Sequence, residues 1–327
     1  MRPAGAHSSE SAGRRFAGPF LAVGAAATFA LSVPLGKWLL DGTSPSILAG
    51  LLYLGAGVSL TVYRRVSGDD TPAPADSAAG RRRSTVFLAA AIASGGVVAP
   101  LLLFWGLVST PAVVASLLLS LEVVLTALLA GLLFREHVAA QVWGAVVLMA
   151  AAAAVMGWSG GDWTWSQGVG AIALATLFWA LDNNLTREVT GYSATQVAQV
   201  KGLVAGTVNL AIGLAVSRTL PTIDAVLVAG LVGAVSYGLS LVLFIRALRL
   251  LGSARTGSYF ASAPLIAGVL SVALFREPPS LRLVAAFVLV GLAALLMATE
   301  THAHEHTHGG VAHSHWHWPD QEHRHAH

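Results

Sequence analysis

Apolar residues run through this chain in long blocks, with neither the alternation of a half-buried strand nor the one-sided stripe of a soluble helix. The blocks fall at 18–40, 44–65, 85–108, 111–134, 138–158, 168–188, 194–217, 224–250, 254–275 and 280–299. As a helix, each is long enough to cross roughly 30 Å of hydrocarbon, so the pattern predicts an all-α polytopic membrane protein with ten transmembrane helices. Turn-forming residues mark the breaks: Asp41-Gly42, Thr110-Pro111, Gly160-Gly161-Asp162, Pro221 and Pro278-Pro279. Two stretches are polar and of low complexity, SGDDTPAPADSAAGRRR at 67–83 and the tail 300–327, and no fold is predicted for either. The predicted organisation is a short N-terminal segment 1–17, a five-helix unit 18–158 containing the loop 67–83, a second five-helix unit 168–299, and a disordered tail.

Composition agrees with lipid as the solvent. Of the 327 residues, 55% are hydrophobic and 11% charged, where a soluble domain carries about a quarter charged; mean hydropathy is +0.69. With no cysteine, disulfides, thiolate metal sites and thiol redox chemistry are excluded. No Gly-rich phosphate loop, nucleophile elbow or zincin motif is present, which argues against an enzyme and against an ATP-driven pump. The basic start and apolar run after Arg14-Arg15 resemble a signal peptide, but the run is too long for one and reads as the first helix.

Charge then orients the helices. Ten spans place both termini on one side, together with Arg2, Arg14, Arg15, Arg64, Arg65, Arg81, Arg82, Arg83, Arg135, Arg187, Arg246, Arg249, Arg255 and Arg324. Lys37, Arg218, Arg276 and Arg282 fall opposite, and Lys201 falls inside a span. Fourteen against four makes the shared side cytoplasmic, in a plasma (inner) membrane. The basic residues are thus topology signals, with no nucleic-acid partner implied.

The two halves echo one another. Phe29-Ala30-Leu31-Ser32-Val33-Pro34-Leu35-Gly36-Lys37 aligns with Trp179-Ala180-Leu181-Asp182-Asn183-Asn184-Leu185-Thr186-Arg187, and Leu133-Phe134-Arg135-Glu136 recurs as Leu274-Phe275-Arg276-Glu277. An odd number of spans per half makes the second enter the membrane from the opposite face, which gives inverted repeats with a site near the midplane. These features resemble the drug/metabolite transporter superfamily, EamA type. ALRLLGSARTGSYFASAPLIAGVLSVALFREP (247–278) is the most specific stretch; SLLLSLEVVLTALLAGLLFRE (116–136) diverges, with Val123 after Glu122 where the family often has proline. The resemblance covers 18–299 and implies a ten-helix carrier of small organic solutes, usually moving them outward; the partners expected of such a chain are the lipid bilayer, its solute and, as one option, a second copy of itself. WALDNNLTREV followed by QVKGLVAG also resembles a bacterial subgroup whose members carry histidine-rich tails, without implying a substrate.

Candidate chemistry sits at the polar positions inside spans, because a charge at the bilayer centre costs at least about 2.5–3.5 kcal/mol unless it is paired, lines a cavity or is neutralised. Glu122 lies near the middle of the fourth span and is a candidate substrate or proton site, or else a packing hydrogen bond. Asp182, Asn183 and Asn184 form a polar step in the sixth span, and Lys201 another in the seventh. Asp182 and Lys201 are each eight residues from the turn 190–193; both therefore lie about 12 Å deep, where they are expected to pair, as a gate or as structure. Trp105, Trp179, Tyr237, Tyr259 and Phe260 are candidate pocket aromatics or packing residues; Lys37, Arg246 and Arg249 read as snorkelling side chains. Pro34 and Pro100 are placed to break their helices, while Trp158, Trp163 and Trp165 read as an interfacial belt.

Ten of the twelve histidines lie in the tail: His302, His304, His306, His308, His313, His315, His317, His323, His325 and His327. Imidazoles on a flexible segment suit an adaptable chelator of Zn, Cu, Ni or Co more than a preformed site. The spans contain no histidine except His137 at a helix end, so the membrane part reads as an organic-solute path. The leading expectation is a secondary carrier exporting a small organic metabolite, with a proton as possible coupling ion and no required cofactor. The alternative is a Ni/Co/Zn efflux carrier whose tail collects metal.

Overall fold

The structure, a computed structural model, describes residues 7–68, 78–134, 140–157, 166–218, 220–251, 253–276, 280–298, 306–308 and 311–313. Helix covers every apolar block that the hydropathy pattern marks. The first holds α1 (His7–Ala30) and α2 (Ser32–Leu39), and the second α3 (Pro45–Ser67). The third is α4 (Ala78–Ala91), a π-helical segment Ile92–Val98 and α5 (Ala99–Ser109); the fourth is α6 (Ala112–Leu119) with α7 (Leu121–Phe134), and the fifth α8 (Ala140–Gly157). There follow α9 (Gln167–Arg187), α10 (Ala194–Ser217), then α11 (Ile223–Gly233) with a second π segment Ala234–Leu239 and α12 (Ser240–Leu251). The set ends with α13 (Ser253–Phe260), α14 (Ala263–Phe275) and α15 (Leu281–Ala298).

Among the described residues, six helical rods are long and apolar enough to cross a membrane: Ala17–Leu39, Pro45–Ser67, Gly80–Ser109, Ala112–Leu133, Ala194–Ser217 and Ile223–Ala247. Ala140–Met156, Ala263–Phe275 and Leu281–Met297 are apolar but shorter. Helix α9 has the length, at 21 residues, but carries the polar step Asp182-Asn183-Asn184.

Two stretches depart from the expectation of no regular structure. In 67–83, helix α4 begins at Ala78 and takes in the three arginines Arg81, Arg82 and Arg83, because no proline follows Pro74 and Ala78-Ala79 favour helix. In the tail, β1 (His306–His308) and β2 (Val311–His313) pair antiparallel with His306 opposite His313; the intervening Gly309-Gly310 is a hairpin signal.

Local chemistry sets where helices start, stop and bend. Ser166, Ser193 and Thr222 accept N-cap hydrogen bonds at α9, α10 and α11, with a full capping box between Ser193 and Gln196. Gly68 (φ 63°) closes α3 in the left-handed region. Pro34 has no N–H for the carbonyl four residues earlier, and the first rod breaks between Ala30 and Ser32.

Helices then pack where small residues permit. α3 and α10 are in backbone contact along Gly50, Gly57, Gly202, Gly206 and Gly213: a methyl added at Gly202 would lie 2.8 Å from the Gly57 Cα. The third rod of each half packs on the first rod of the other, α5 on α9 and α12 on α1, while α8 packs on α15 and α6 on α14. The largest apolar cluster joins α2, α3, α5, α6, α9 and α11 through residues such as Val33, Ile47, Leu52, Phe104, Leu107 and Ile172.

Candidate functional site

The polar step of α9 and the lysine of α10 meet. Lys201 Nζ donates to Asp182 Oδ1 at 2.6 Å and to Oδ2 at 2.5 Å, and lies 3.4 Å from Thr186 Oγ1. Thr186, one turn on from Asp182, donates its hydroxyl to Oδ1 at 2.9 Å. This is the ion pair that equal depth predicts. Asp182 is buried with 6% of its side chain exposed; Lys201 exposes 18%. Asn183 points elsewhere, donating to Glu122 Oε1 at 2.9 Å and contacting Thr126 Oγ1 at 3.3 Å. Asn184 donates to the carbonyls of Thr126 (3.0 Å) and Ala180 (2.9 Å). Three successive polar residues thus do three things: one pairs with a cation, one tethers Glu122, one braces α9 against α7.

Behind the ion pair lies the π-helical segment, and Pro100 explains its chemistry. The Ala99 N–H reaches back five residues to the Ser94 carbonyl. Pro100, next along, has no N–H, so neither the Gly95 nor the Gly96 carbonyl finds its main-chain donor. Side chains from three other helices supply it: Tyr53 Oη (3.0 Å) and Trp179 Nε1 (2.9 Å) donate to Gly95, and Asn209 Nδ2 (2.9 Å) to Gly96. The freed carbonyls expected from a proline break are present and are satisfied by protein. Gly95 also abuts Asp182 so closely that a Cβ there would collide with the carboxylate.

A cavity of about 580 Å³ opens in front of these groups. Its lining combines aromatic side chains, Tyr53, Tyr237 and Phe244, with the polar ones Asn183, Thr186 and Lys201. Tyr53 and Tyr237 have ring centroids 5.7 Å apart, and Phe29 and Phe260 extend the stack behind them. The cavity runs from the turn between α9 and α10, where Tyr192 and Ala194 line it, to mid-depth at Gly202. At the turn end, Arg83 pairs with Glu188 (2.8 Å) and Ser84 with Thr190 (2.9 Å), tying α4 to the same turn. At the opposite end, Lys37 donates to the carbonyls of Leu107 (2.5 Å) and Val108 (3.0 Å), the last turn of α5, where a cation also complements the helix dipole.

Of the sequence-predicted residues, Glu122, Asp182, Asn183, Asn184, Lys201, Trp179 and Tyr237 are assembled here. Trp105 is half exposed on α5 and Tyr259 is 40% exposed on α13; neither lines this cavity, since each faces outward from its helix. Arg246 sits over the ring of Tyr63 at 5.7 Å. Tyr53, Thr186, Tyr192 and Phe244 were not singled out; Thr186 carried a signal, one helical turn after Asp182. His306, His308 and His313 fall in the ladder, while His302, His304, His315, His317, His323, His325 and His327 lie outside the described residues, as do Trp158, Trp163 and Trp165. Among the described residues no cluster of three metal-ligating side chains occurs.

Residues 16–158 and 166–299 each match the model of the EamA-like transporter family. The chain belongs to that family. With its apolar rods the EamA-like chain is a multi-pass membrane protein of a transporter family. It is 27% identical over 301 residues to an uncharacterized transporter of Methanothermobacter thermautotrophicus, covering 88% of this chain and 85% of that one. A protein of known crystal structure shares the fold, with a TM-score of 0.58 at 17% identity, over 85% of this chain and 94% of the other.

Proposed function

We propose that this EamA-like protein is a secondary carrier, not an enzyme, that exports a small organic metabolite across the plasma membrane, with its ten helical stretches spanning as two inverted five-helix repeats. The observation that carries this is the cavity between α3, α9, α10 and the second π segment, which puts a charged pair and an aromatic wall at mid-depth in an apolar bundle. The reciprocal packing of α5 on α9 and α12 on α1 supports the repeat. So do the two π segments, which begin at Ile92 and Ala234 in the third rod of each half. On this reading both termini are cytoplasmic, the cavity mouth at the turn 188–193 faces the cytosol, and Glu122 with Asn183 carries the coupling proton. Self-association as a homodimer is compatible with it.

The test is transport by the full chain in lipid vesicles under an imposed pH gradient, with Glu122→Gln alongside. A proton-coupled carrier loses its dependence on the gradient in that variant; normal transport with an unchanged pH profile would remove Glu122 from the role.

A second reading rests on the tail. Ten histidines in the last 26 residues favour divalent-metal binding there, as sensor, buffer or collector for Ni, Co or Zn efflux. It requires that truncation at residue 302 sensitise cells to one of those metals.

A further inference from the structure

Resting on the carrier reading, we infer that the cavity takes a solute joining a carboxylate to an apolar, ring-sized body, and that Lys201 is the residue that reads the carboxylate. Among the described residues that line the cavity, Lys201 is the only charged one. The ion pair is neutral as a whole but not symmetric towards the cavity: the ammonium lies at the wall and the Asp182 carboxylate is buried behind it. Asn183 also lines the cavity and donates to Glu122, a half-buried carboxylate on α7. At the Lys201 wall a solute therefore meets the positive end of an oriented dipole, with the Asp182 carboxylate buried behind the ammonium.

Lysine has three N–H donors. Two go to Asp182 at 2.6 and 2.5 Å, and the third has only Thr186 Oγ1 at 3.4 Å. A carboxylate oxygen arriving from the cavity finds that third donor without breaking the pair. Asp182 acts as the positioning residue: anchored by Thr186 and walled by Gly95, it holds the ammonium at one place instead of letting a four-carbon stem wander. An amine-only solute meets a like charge at that point. Tyr53, Tyr237 and Phe244 line the same cavity and offer apolar faces for the remainder of the solute. The carboxylate can come from a simple monocarboxylate or from a zwitterion, and the lining chemistry is the same for both.

Three probes with one ring and one linker decide the matter: 3-phenylpropionate, phenylalanine and phenethylamine, each added to the purified full chain in detergent and to vesicles containing it. The expected result is thermal stabilisation by one or both carboxylate-bearing probes and none by phenethylamine; which of the two binds separates monocarboxylate from zwitterion. Loss of a charge-assisted hydrogen bond weakens binding roughly ten- to a hundred-fold, and that is the effect expected of Lys201→Gln combined with Asp182→Asn, a pair that leaves no buried charge unpaired. Lys201→Arg, which keeps the charge, should retain binding. The inference is overturned if phenethylamine binds as tightly as the acids, if none of the three binds, or if the double variant binds normally. If the acids bind but never cross the vesicle membrane, the carrier reading fails and the carboxylate site stands; if phenethylamine alone crosses, the reverse holds.

Discussion

Asp182 and Lys201 are worth less as a pair than either costs when left alone. Breaking a buried ion pair from one side costs about 3–5 kcal/mol, whereas replacing both partners is often neutral; the 18% exposure of Lys201 puts this site at the lower end. Asp182→Asn should therefore lower the thermal midpoint in detergent by several degrees, and Asp182→Asn with Lys201→Gln should recover most of it. Glu122→Gln behaves differently: its side-chain oxygen still accepts from Asn183, so the midpoint should hold while the pH dependence of transport disappears. These residues were legible because charge inside an apolar block has few explanations and because equal distance from one turn implies equal depth. Tyr53 and Phe244 were not legible, since a ring in an apolar helix carries no mark of which face meets a cavity, and Tyr192 lies in a turn where its direction depends on the helices around it. Trp105, the converse case, has the same composition signal and faces out.

Helix α5 and the π segment before it show how one proline reaches beyond its own element. Pro100 strands two carbonyls, and the partners come from α3, α9 and α10, so the local irregularity becomes a four-helix junction. Gly95 has two donors, which makes each replaceable: Tyr53→Phe or Trp179→Phe alone should cost about 1 kcal/mol or less. Together they leave a carbonyl unsatisfied inside the bundle, and the double variant should exceed the sum in a double-mutant cycle read from unfolding midpoints. The α3–α10 contact has no such redundancy. Gly202→Leu forces apart two backbones already in contact and should abolish folded protein, seen as aggregation on size-exclusion chromatography. Block lengths in the sequence predicted these helices well. The π segment Ile92–Val98 was beyond it, because the carbonyls freed before Pro100 depend on donors arriving from elsewhere in the chain.

At the scale of the whole molecule, the echoed strings Leu133–Glu136 and Leu274–Glu277 fall one in each of the two stretches, 16–158 and 166–299, that match the family. Pairing between the two stretches, α3 with α10 and α8 with α15, was not readable from hydropathy, which carries no information about neighbours. The tail stands apart from the bundle in composition. Deleting 302–327 should leave organic-solute transport in vesicles unchanged while removing retention on a nickel column; a fall in transport would tie the tail to the carrier cycle.

The cavity is lined at one end by the turn between α9 and α10, which the carrier reading makes its mouth, and this bears on pharmacology. A competitor too bulky to follow the solute through can wedge itself only from the face that carries the turn between α9 and α10. It would act on vesicles of one sidedness and spare those of the other. With that turn on the cytosolic side, as proposed above, a molecule of that kind, unable to permeate cells, would be a poor drug when given from outside, yet a useful clamp for trapping this conformation on the bench.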